Sequence, residues 1–255
     1  MSEPVLDVKN VTKTFRERGG RRFRALDDVS LTVREGECVG VVGESGCGKS
    51  TLARIITRLI LPDSGSVRFC GTELTEAGGA ALRRAYRDMK MIFQEPRSSF
   101  DPRLTLGVSI RAALKPVMRG RREQEAEVRR LLHVVGLEPR FAQAYPRQVS
   151  GGECQRAAIA RAIAQKPRLL ICDEATSALD VSVQAQVIEL LTAIRRETGI
   201  SYLFISHDLA LVSSFCDRTY VLCGGRVVEQ GPTAQIIREP REAYTKRLLS
   251  SVLTI

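Results

Sequence analysis

The N-terminal part of the chain alternates apolar and polar side chains with a period of two, as in VLDVKNVTKTF and VSLTVREGE. This period is typical of strands that bury one face, so we predict antiparallel strands here. Cys38–Val42 is instead a short continuous apolar run, which a strand buried on both faces requires. A glycine-rich turn over residues 43–48 follows it, and apolar residues then recur at helical spacing up to Pro62. The predicted local order is strand, glycine loop, helix.

The middle of the chain changes character. From about residue 101 to residue 147 the strand signals vanish and helical periodicity takes over, which indicates a helical insertion. Continuous apolar runs return at 169–172 and 202–205, separated by an amphipathic helix that stops at Gly199. A hairpin around Gly224 and Gly225 and a short helical tail close the chain. This alternation predicts an α/β protein with a mostly parallel sheet.

Composition narrows the class of protein. With 255 residues, 44% hydrophobic and 27% charged, the chain is able to bury a sizeable core. It has seven cysteines without CxxC pairs, which favours a reduced, cytosolic setting over disulfides or zinc. No run approaches the roughly 18 apolar residues of a membrane span, and the N-terminus lacks the apolar segment of a signal peptide. We therefore expect neither an exported nor an integral membrane protein.

The net charge of +10 has two interpretations. It favours an anionic partner such as nucleic acid or a membrane surface, or it describes an ordinary solvated surface. The basic residues are scattered, so we favour the solvated surface. Two small clusters stand out, and they consist of Arg21, Arg22, Arg24 and of Arg119, Arg121, Arg122.

A phosphate-binding motif occupies the glycine loop. GESGCGKST satisfies G-x-x-x-x-G-K-[ST] with an apolar strand before it and a helix after it. Its glycines let backbone N–H groups surround phosphate oxygens, Lys49 adds positive charge, and Ser50 offers a hydroxyl to Mg²⁺. The helix start at the same place favours anions. The predicted nucleotide-binding residues are Gly43, Glu44, Ser45, Gly46, Cys47, Gly48, Lys49, Ser50 and Thr51.

Two carboxylates end the apolar run at 169–172. Asp173 is predicted to hold Mg²⁺, commonly through water, and Glu174 to face the attacking water. A carboxylate there either accepts the proton of the water or fixes its line of attack. An isolated Asp-Glu pair is most often a helix cap or a surface charge. The apolar strand and the upstream phosphate loop make the catalytic interpretation the better one.

His207 follows the next apolar run, in Ser206-His207-Asp208, and is one of only two histidines in the chain. Ligands of open α/β sheets gather at the carboxyl ends of the strands, where a histidine is able to hydrogen-bond a γ-phosphate. We predict that His207 takes part in catalysis. His133 lacks such a context and is interpreted as an ordinary helix residue.

A further motif carries a family resemblance. Val149-Ser150-Gly151-Gly152-Glu153, followed by CQRAAIARAIAQKP, resembles the LSGGQ signature and helix of ATP-binding-cassette (ABC) proteins. A serine and two glycines at a helix N-terminus form a second phosphate site without a lysine. In this family that surface reaches the γ-phosphate held by another subunit, so two chains enclose two ATP molecules. The resemblance covers almost the whole chain.

The resemblance implies further roles and a domain layout. Phe15 matches the aromatic that stacks on adenine, Gln94 the glutamine that joins the γ-phosphate and Mg²⁺ site to the helical lobe, and Asp180 the loop across the dimer interface. ATP and Mg²⁺ are the implied cofactors. The implied fold is a P-loop NTPase core with an N-terminal antiparallel β subdomain and a helical subdomain. The core would comprise residues 1–94 and 156–255, and the helical subdomain residues 95–155.

This sequence departs from the family pattern at several positions. Glu153 replaces the usual glutamine, which either slows hydrolysis by charge repulsion or is harmless if the side chain points outward. Val149 replaces leucine. Phe15 replaces tyrosine, which keeps the stacking surface and loses a hydroxyl, and Phe23 is a rival for the same role.

Three stretches resemble the peptide/nickel importer branch of the family: GESGCGKSTLAR, IFQEPRSSFDPRLT and EPREAYTKRLLSSV. The branch implies an ATPase that couples MgATP-driven dimer closure to uptake of a small ligand such as a peptide or nickel. Peptide-import ATPases of this branch usually continue well past this ending, whereas this sequence stops at Ile255. The resemblance therefore favours nickel or another small ligand over a large oligopeptide. The implied partners are a second ABC ATPase, with a heterodimer favoured over a homodimer, two transmembrane permease subunits and, indirectly, an extracytoplasmic solute-binding protein. The implied location is peripheral, on the cytoplasmic face of the inner membrane.

Two other classes compete with this interpretation. Soluble ABC ATPases that act on nucleic acid or ribosomes would account for the basic charge, but they usually carry two cassettes or a long coiled-coil insertion, and neither is visible. We therefore expect no nucleic acid partner. A P-loop kinase or GTPase leaves the motif at Ser150–Glu153 unexplained.

Overall fold

The computed structural model of the chain describes residues 3–16, 20 and 22–252, with the side chains of 251 and 252 excluded. Arg21 of the N-terminal basic cluster lies outside the described residues. The strands are β1 (Leu6–Arg16), β2 (Arg22–Val33), β3 (Cys38–Val42), β4 (Ser64–Phe69), β5 (Thr72–Glu73), β6 (Met89–Ile92), β7 (Leu169–Asp173), β8 (Ser201–Ser206), β9 (Arg218–Cys223) and β10 (Arg226–Pro232). The helices are α1 (Lys49–Ile56), α2 (Gly79–Asp88), α3 (Leu106–Leu114), α4 (Arg121–Val134), α5 (Gly151–Ile163), α6 (Val181–Thr198), α7 (Leu209–Phe215), α8 (Thr233–Arg238) and α9 (Ala243–Val252).

The first sheet is antiparallel and has the strand order β2-β1-β4-β5. Strand β1 pairs with β2 on one side and with β4 on the other. Its buried positions include Leu6, Val8 and Val11, and the residues between them reach the surface. The alternating pattern therefore produced the half-exposed antiparallel strands that it predicts.

The second sheet carries the site and has the strand order β10-β9-β3-β8-β7-β6. Its pairs are parallel except for the edge strand β10, which forms a hairpin with β9. Every residue of β3, β7 and β8 is buried, because helices such as α6 and α7 cover one face of the sheet, and α1 and the antiparallel sheet cover the other. The carboxyl ends of these strands lie at one edge of the sheet. The predicted phosphate loop and the predicted catalytic residues lie at this edge.

Helix α1 is shorter than its apolar periodicity predicts. It ends at Ile56, and the prediction that it continues toward Pro62 was wrong. Thr57 turns its hydroxyl back to the carbonyl of Ala53 at 2.8 Å, and Arg58 adopts a left-handed backbone with φ of 60°. The turn moves Leu59 out of the buried row, so that its side chain is 58% exposed.

Helices α3, α4 and α5 pack against one another between β6 and β7 in the chain. Their buried residues join those of the parallel sheet in one apolar cluster, which contains both Ile110 and Leu131 of the helices and Phe204 of β8. Helix α5 runs without interruption from Gly151 to Ile163, so it carries the chain from the helical region back toward the sheet. None of the helices within the described ranges combines the length and the apolar character of a membrane span.

Candidate functional site

The phosphate loop, residues 43–50, joins the buried strand β3 to helix α1. Gly48 caps the start of α1 with φ of 110°, a conformation that side chains with a Cβ rarely adopt. A Cβ at this position would lie 2.4 Å from the carbonyl oxygen of Ala25 on β2. The glycine therefore allows the antiparallel sheet to pack directly against the loop, and it leaves the N–H groups at the start of α1 without a side-chain cap.

Lys49 lies beneath the loop and is only 3% exposed. Its Nζ donates to the carbonyl oxygens of Gly43 at 2.7 Å and Glu44 at 2.9 Å. The Glu174 Oε1 atom lies 3.7 Å from the same nitrogen. A buried ammonium group requires such partners, and they fix its position at the start of α1. The positive charge and the helix start thus act on the same small volume.

Ser50 and Asp173 form the candidate Mg²⁺ site. The Ser50 hydroxyl donates to Asp173 Oδ1 at 3.2 Å, although the two residues come from α1 and from the end of β7. Burial raises the pKa of Asp173 above its usual value, and the hydrogen bond from Ser50 opposes that rise. A hydroxyl and a carboxylate are hard oxygen ligands of the type that Mg²⁺ prefers. The donor set therefore fits this ion.

Glu174 connects the loop to His207. The chain leaves β7 at Glu174 with φ of 48°, while the Glu174 N–H still donates to Ile205 of β8 at 2.9 Å. His207 Nδ1 lies 3.6 Å from Glu174 Oε1, and the histidine side chain is half exposed. The Glu174 carboxylate thus stands between Lys49 and His207. The strand ends bring together the lysine, the acidic pair and the histidine, as their positions after buried strands predict.

Gln94 and the aromatic pair lie at the rim of this region. Gln94 is exposed two residues after β6, the parallel neighbour of β7, and so emerges at the same sheet edge as Asp173. Phe15 and Phe23 are directly opposite each other in the β1–β2 pairing, so both rings lie on one face of the hairpin. Both are partly exposed, at 39% and 47%. The two candidates for stacking on adenine, Phe15 and Phe23, are therefore neighbours on one surface.

The signature turn, Ser150–Gly152, begins helix α5. The Ser150 hydroxyl accepts from the Glu153 N–H at 3.2 Å, and a Glu153 carboxylate oxygen accepts from the Ser150 N–H at 2.7 Å. This reciprocal pair is a capping box, which stabilises the start of a helix. Glu153 therefore folds back on its own helix. A glutamine at the same position is also able to accept this hydrogen bond.

The remaining candidates stand in two groups. Asp180 precedes α6 and is exposed, and the neighbouring Leu179 lies within 3.5 Å of where a Cβ on Gly151 would be. In the described part of the chain, no hydrogen bond or ion pair links this group to the phosphate loop. Within the loop, Glu44, Ser45 and Gly46 are exposed and Thr51 is half-buried on α1. Cys47 is buried, and burial raises the pKa of its thiol.

One contact of the loop has no counterpart in the sequence-based predictions. The backbone N–H of Glu44 donates to the Tyr244 hydroxyl of α9 at 2.9 Å. Tyr244 belongs to the stretch EPREAYTKRLLSSV, to which the sequence assigns a resemblance and no role. A separation of 200 residues hides the contact from any local pattern.

Comparison with known proteins agrees with this geometry. The protein-family model described as "ABC transporter" matches residues 26–177. The chain is 45% identical over 259 residues to the "Glutathione import ATP-binding protein GsiA" of Pectobacterium atrosepticum. That match covers 98% of this chain and 41% of the Pectobacterium protein, so the chain spans less than half of that relative's length.

Two other matches cover most of this chain and most of the matched protein. The chain is 46% identical to the "Probable peptide ABC transporter ATP-binding protein y4tS" of Sinorhizobium fredii, over 98% of this chain and 73% of that protein. Among solved structures, "Dimeric structure of a post-hydrolysis state of the ATP-binding cassette MJ0796 bound to ADP and Pi" aligns with a TM-score of 0.81 and 33% identity. It covers 89% of this chain and 98% of that one.

Proposed function

The chain belongs to the ABC transporter family, and from that premise we propose that it is the ATP-hydrolysing subunit of an importer. The observation that carries the proposal is the cluster at the carboxyl edge of the parallel sheet. Lys49, Ser50, Asp173, Glu174 and His207 come from one helix start and two strand ends, and the contacts that join them are 3.2 to 3.7 Å long. These groups are the ones that hydrolysis of a nucleoside triphosphate requires.

Each side chain has a distinct task in this proposal. Lys49 and the N–H groups at the start of α1 bind the phosphates of ATP, and the face formed by Phe15 and Phe23 receives the adenine ring. Ser50 and Asp173 would hold Mg²⁺, with Gln94 at the same edge, and the ion would neutralise phosphate charge. Glu174 orients the attacking water or accepts its proton, while His207 donates to the γ-phosphate.

The signature turn completes a site on a second subunit. Its N–H groups have no lysine beside them in the described part of this chain, and they start a helix that attracts anions. We propose that Ser150–Gly152 of one ATPase contact the γ-phosphate held by Lys49 of the other, with Asp180 at the interface. The similar MJ0796 cassette is dimeric, which supports a two-cassette arrangement. ATP then closes the pair, and hydrolysis reopens it.

The importer assignment draws on the relatives. The Pectobacterium and Sinorhizobium proteins carry names for glutathione import and peptide transport, and these names support a small peptide as the ligand. Nickel, which the sequence resemblance also implies, is the alternative to a peptide as the transported ligand. The proposed partners are a second ATPase, with a heterodimer favoured, two permease subunits and a solute-binding protein. The chain would act on the cytoplasmic face of the inner membrane.

Co-purification tests the assignment. The full chain, affinity-tagged, is expressed in its own organism and purified from membranes in mild detergent, and the companion proteins are identified by mass spectrometry. We expect multi-span permeases and an ATP-binding subunit in fixed ratio to the chain. A matched Lys49→Ala chain should retain these companions and lose ATP binding. If the tagged chain is recovered with nucleic acid or ribosomal proteins instead, this result would contradict the proposed importer function and support a soluble ABC ATPase.

A further inference from the structure

A tyrosine of the C-terminal helix α9 contacts the phosphate loop. The Tyr244 hydroxyl oxygen accepts from the Glu44 N–H at 2.9 Å. Tyr244 is half-buried and packs against the apolar cluster that contains the parallel sheet. Burial raises the pKa of its hydroxyl, so the group stays neutral at physiological pH. A neutral phenol oxygen is a suitable acceptor for a backbone amide.

Tyr244 and Lys49 form hydrogen bonds to opposite sides of the same peptide group. The Gly43 carbonyl and the Glu44 N–H are the two ends of one planar peptide. The carbonyl accepts from Lys49 Nζ at 2.7 Å, while the N–H donates to Tyr244. A chain of hydrogen bonds thus runs from tyrosine to peptide to ammonium group, and each bond polarises the next.

Neighbouring contacts restrict this peptide and the helix that reaches it. A Cβ at Gly43 would lie 2.2 Å from the carbonyl oxygen of Leu222 on β9, so the backbone has little room on that side. At the start of α9, the Glu229 carboxylate of β10 accepts from the N–H groups of Arg241 at 2.9 Å and Glu242 at 3.2 Å. The position of Tyr244 is therefore set by the fold of the C-terminal segment.

We propose that Tyr244 is a positioning residue for ATP binding, which acts by orienting the Gly43–Glu44 peptide so that its carbonyl holds the Lys49 ammonium at the phosphate site. Tyr244 itself contacts no nucleotide. The inference rests on the proposed binding of ATP at the phosphate loop. It assigns to the C-terminal helix a role in the nucleotide site of the same chain.

Tyr244→Phe tests the inference because it removes one oxygen and keeps the ring. We expect the Kd for MgATP of the purified chain to rise about three- to tenfold, the range that the loss of one hydrogen bond implies. Turnover at saturating ATP should stay within about twofold of wild type, because Glu174 and Asp173 are untouched. Tyr86→Phe is the matched control, since the Tyr86 hydroxyl donates to the Thr57 carbonyl at 3.0 Å, at the opposite end of α1. Its Kd should equal that of wild type.

Amide hydrogen exchange gives an independent readout. Exchange in the segment that contains Glu44 should accelerate in Tyr244→Phe and stay unchanged in Tyr86→Phe. If Tyr244→Phe does not fold, Glu229→Gln weakens the anchor at the same N-terminal end of α9, and its Kd for MgATP should rise in the same direction by a smaller factor. A wild-type Kd in both Tyr244→Phe and Glu229→Gln would overturn the inference while leaving the ATPase proposal intact. Failure of the wild-type chain to bind MgATP would overturn both.

Discussion

At the scale of single residues, the contacts around Glu174 differ from those of the adjacent Asp173. The carboxylate lies within 3.7 Å of both Lys49 Nζ and His207 Nδ1, and Asp173 beside it already bonds to Ser50. The two adjacent acids therefore face different partners. These contacts support the proposal that Asp173 is a metal ligand and that Glu174 acts on the attacking water.

Replacement of Glu174 by glutamine separates binding from hydrolysis. Glu174→Gln keeps the shape of the side chain and removes its basicity, so we expect the Kd for MgATP to stay within a few-fold of wild type. Turnover should fall at least about 100-fold, the lower range for loss of a general base. Equilibrium binding and phosphate release measure the two quantities.

Glu189→Gln is a suitable control for that experiment, because Glu189 is exposed on α6. It should bind and hydrolyse ATP like wild type. Retention of wild-type turnover by Glu174→Gln would refute the role assigned to Glu174.

At the scale of elements, the capping box at α5 explains how the chain tolerates an acidic residue in the signature motif. The Glu153 carboxylate accepts from the Ser150 N–H, and it lies near the positive end of the helix dipole. The sequence leaves open whether the carboxylate repels the phosphates of a partner or points outward. The structure adds a third arrangement, in which the side chain stabilises its own helix.

Two substitutions at Glu153 separate the charge from the hydrogen bond. Glu153→Gln retains an acceptor, so the free energy of unfolding should stay within about 0.5 kcal/mol of wild type. Glu153→Ala loses the acceptor and should lower the free energy of unfolding by about 1 kcal/mol. Urea denaturation at 25 °C measures both. Equal losses in the two variants would argue against the capping box.

Sequence periodicity predicts some elements of this fold better than others. The buried strands at 38–42 and 169–173 follow directly from apolar runs, and the end of α6 follows from its glycine cap, Gly199. The end of α1 does not, because Thr57 and Arg58 turn the backbone while the apolar spacing continues. A local pattern contains no information on such a turn unless glycine or proline marks it.

At the scale of the whole molecule, the candidate site is predictable because parallel strands place their carboxyl ends at one edge. We can therefore predict that residues at or after the ends of buried strands, such as Lys49, Asp173 and His207, lie close together, even when the loop conformations are unknown. The Tyr244–Glu44 contact obeys no such rule. It depends on how the C-terminal helix packs over the sheet, which only the three-dimensional structure reveals.

Among the described residues, no hydrogen bond or ion pair joins the signature turn to the phosphate loop of the same chain. The turn packs instead close to α6 and the loop before it, since a Cβ on Gly151 would lie 3.5 Å from Leu179 and one on Gly152 2.7 Å from Val183. The two helix starts that we propose bind phosphate are therefore not joined directly within one copy. A second subunit is the simplest way to bring such surfaces onto one nucleotide.

Sedimentation velocity of the Glu174→Gln chain, mixed with the ATP-binding subunit that co-purifies with it, tests this central claim most directly. With MgATP we predict a species of twice the subunit mass, which is absent with MgADP and absent when Ser150 is replaced by a bulky acidic residue. A mixture that binds MgATP and still sediments as separate subunits would contradict the shared nucleotide site.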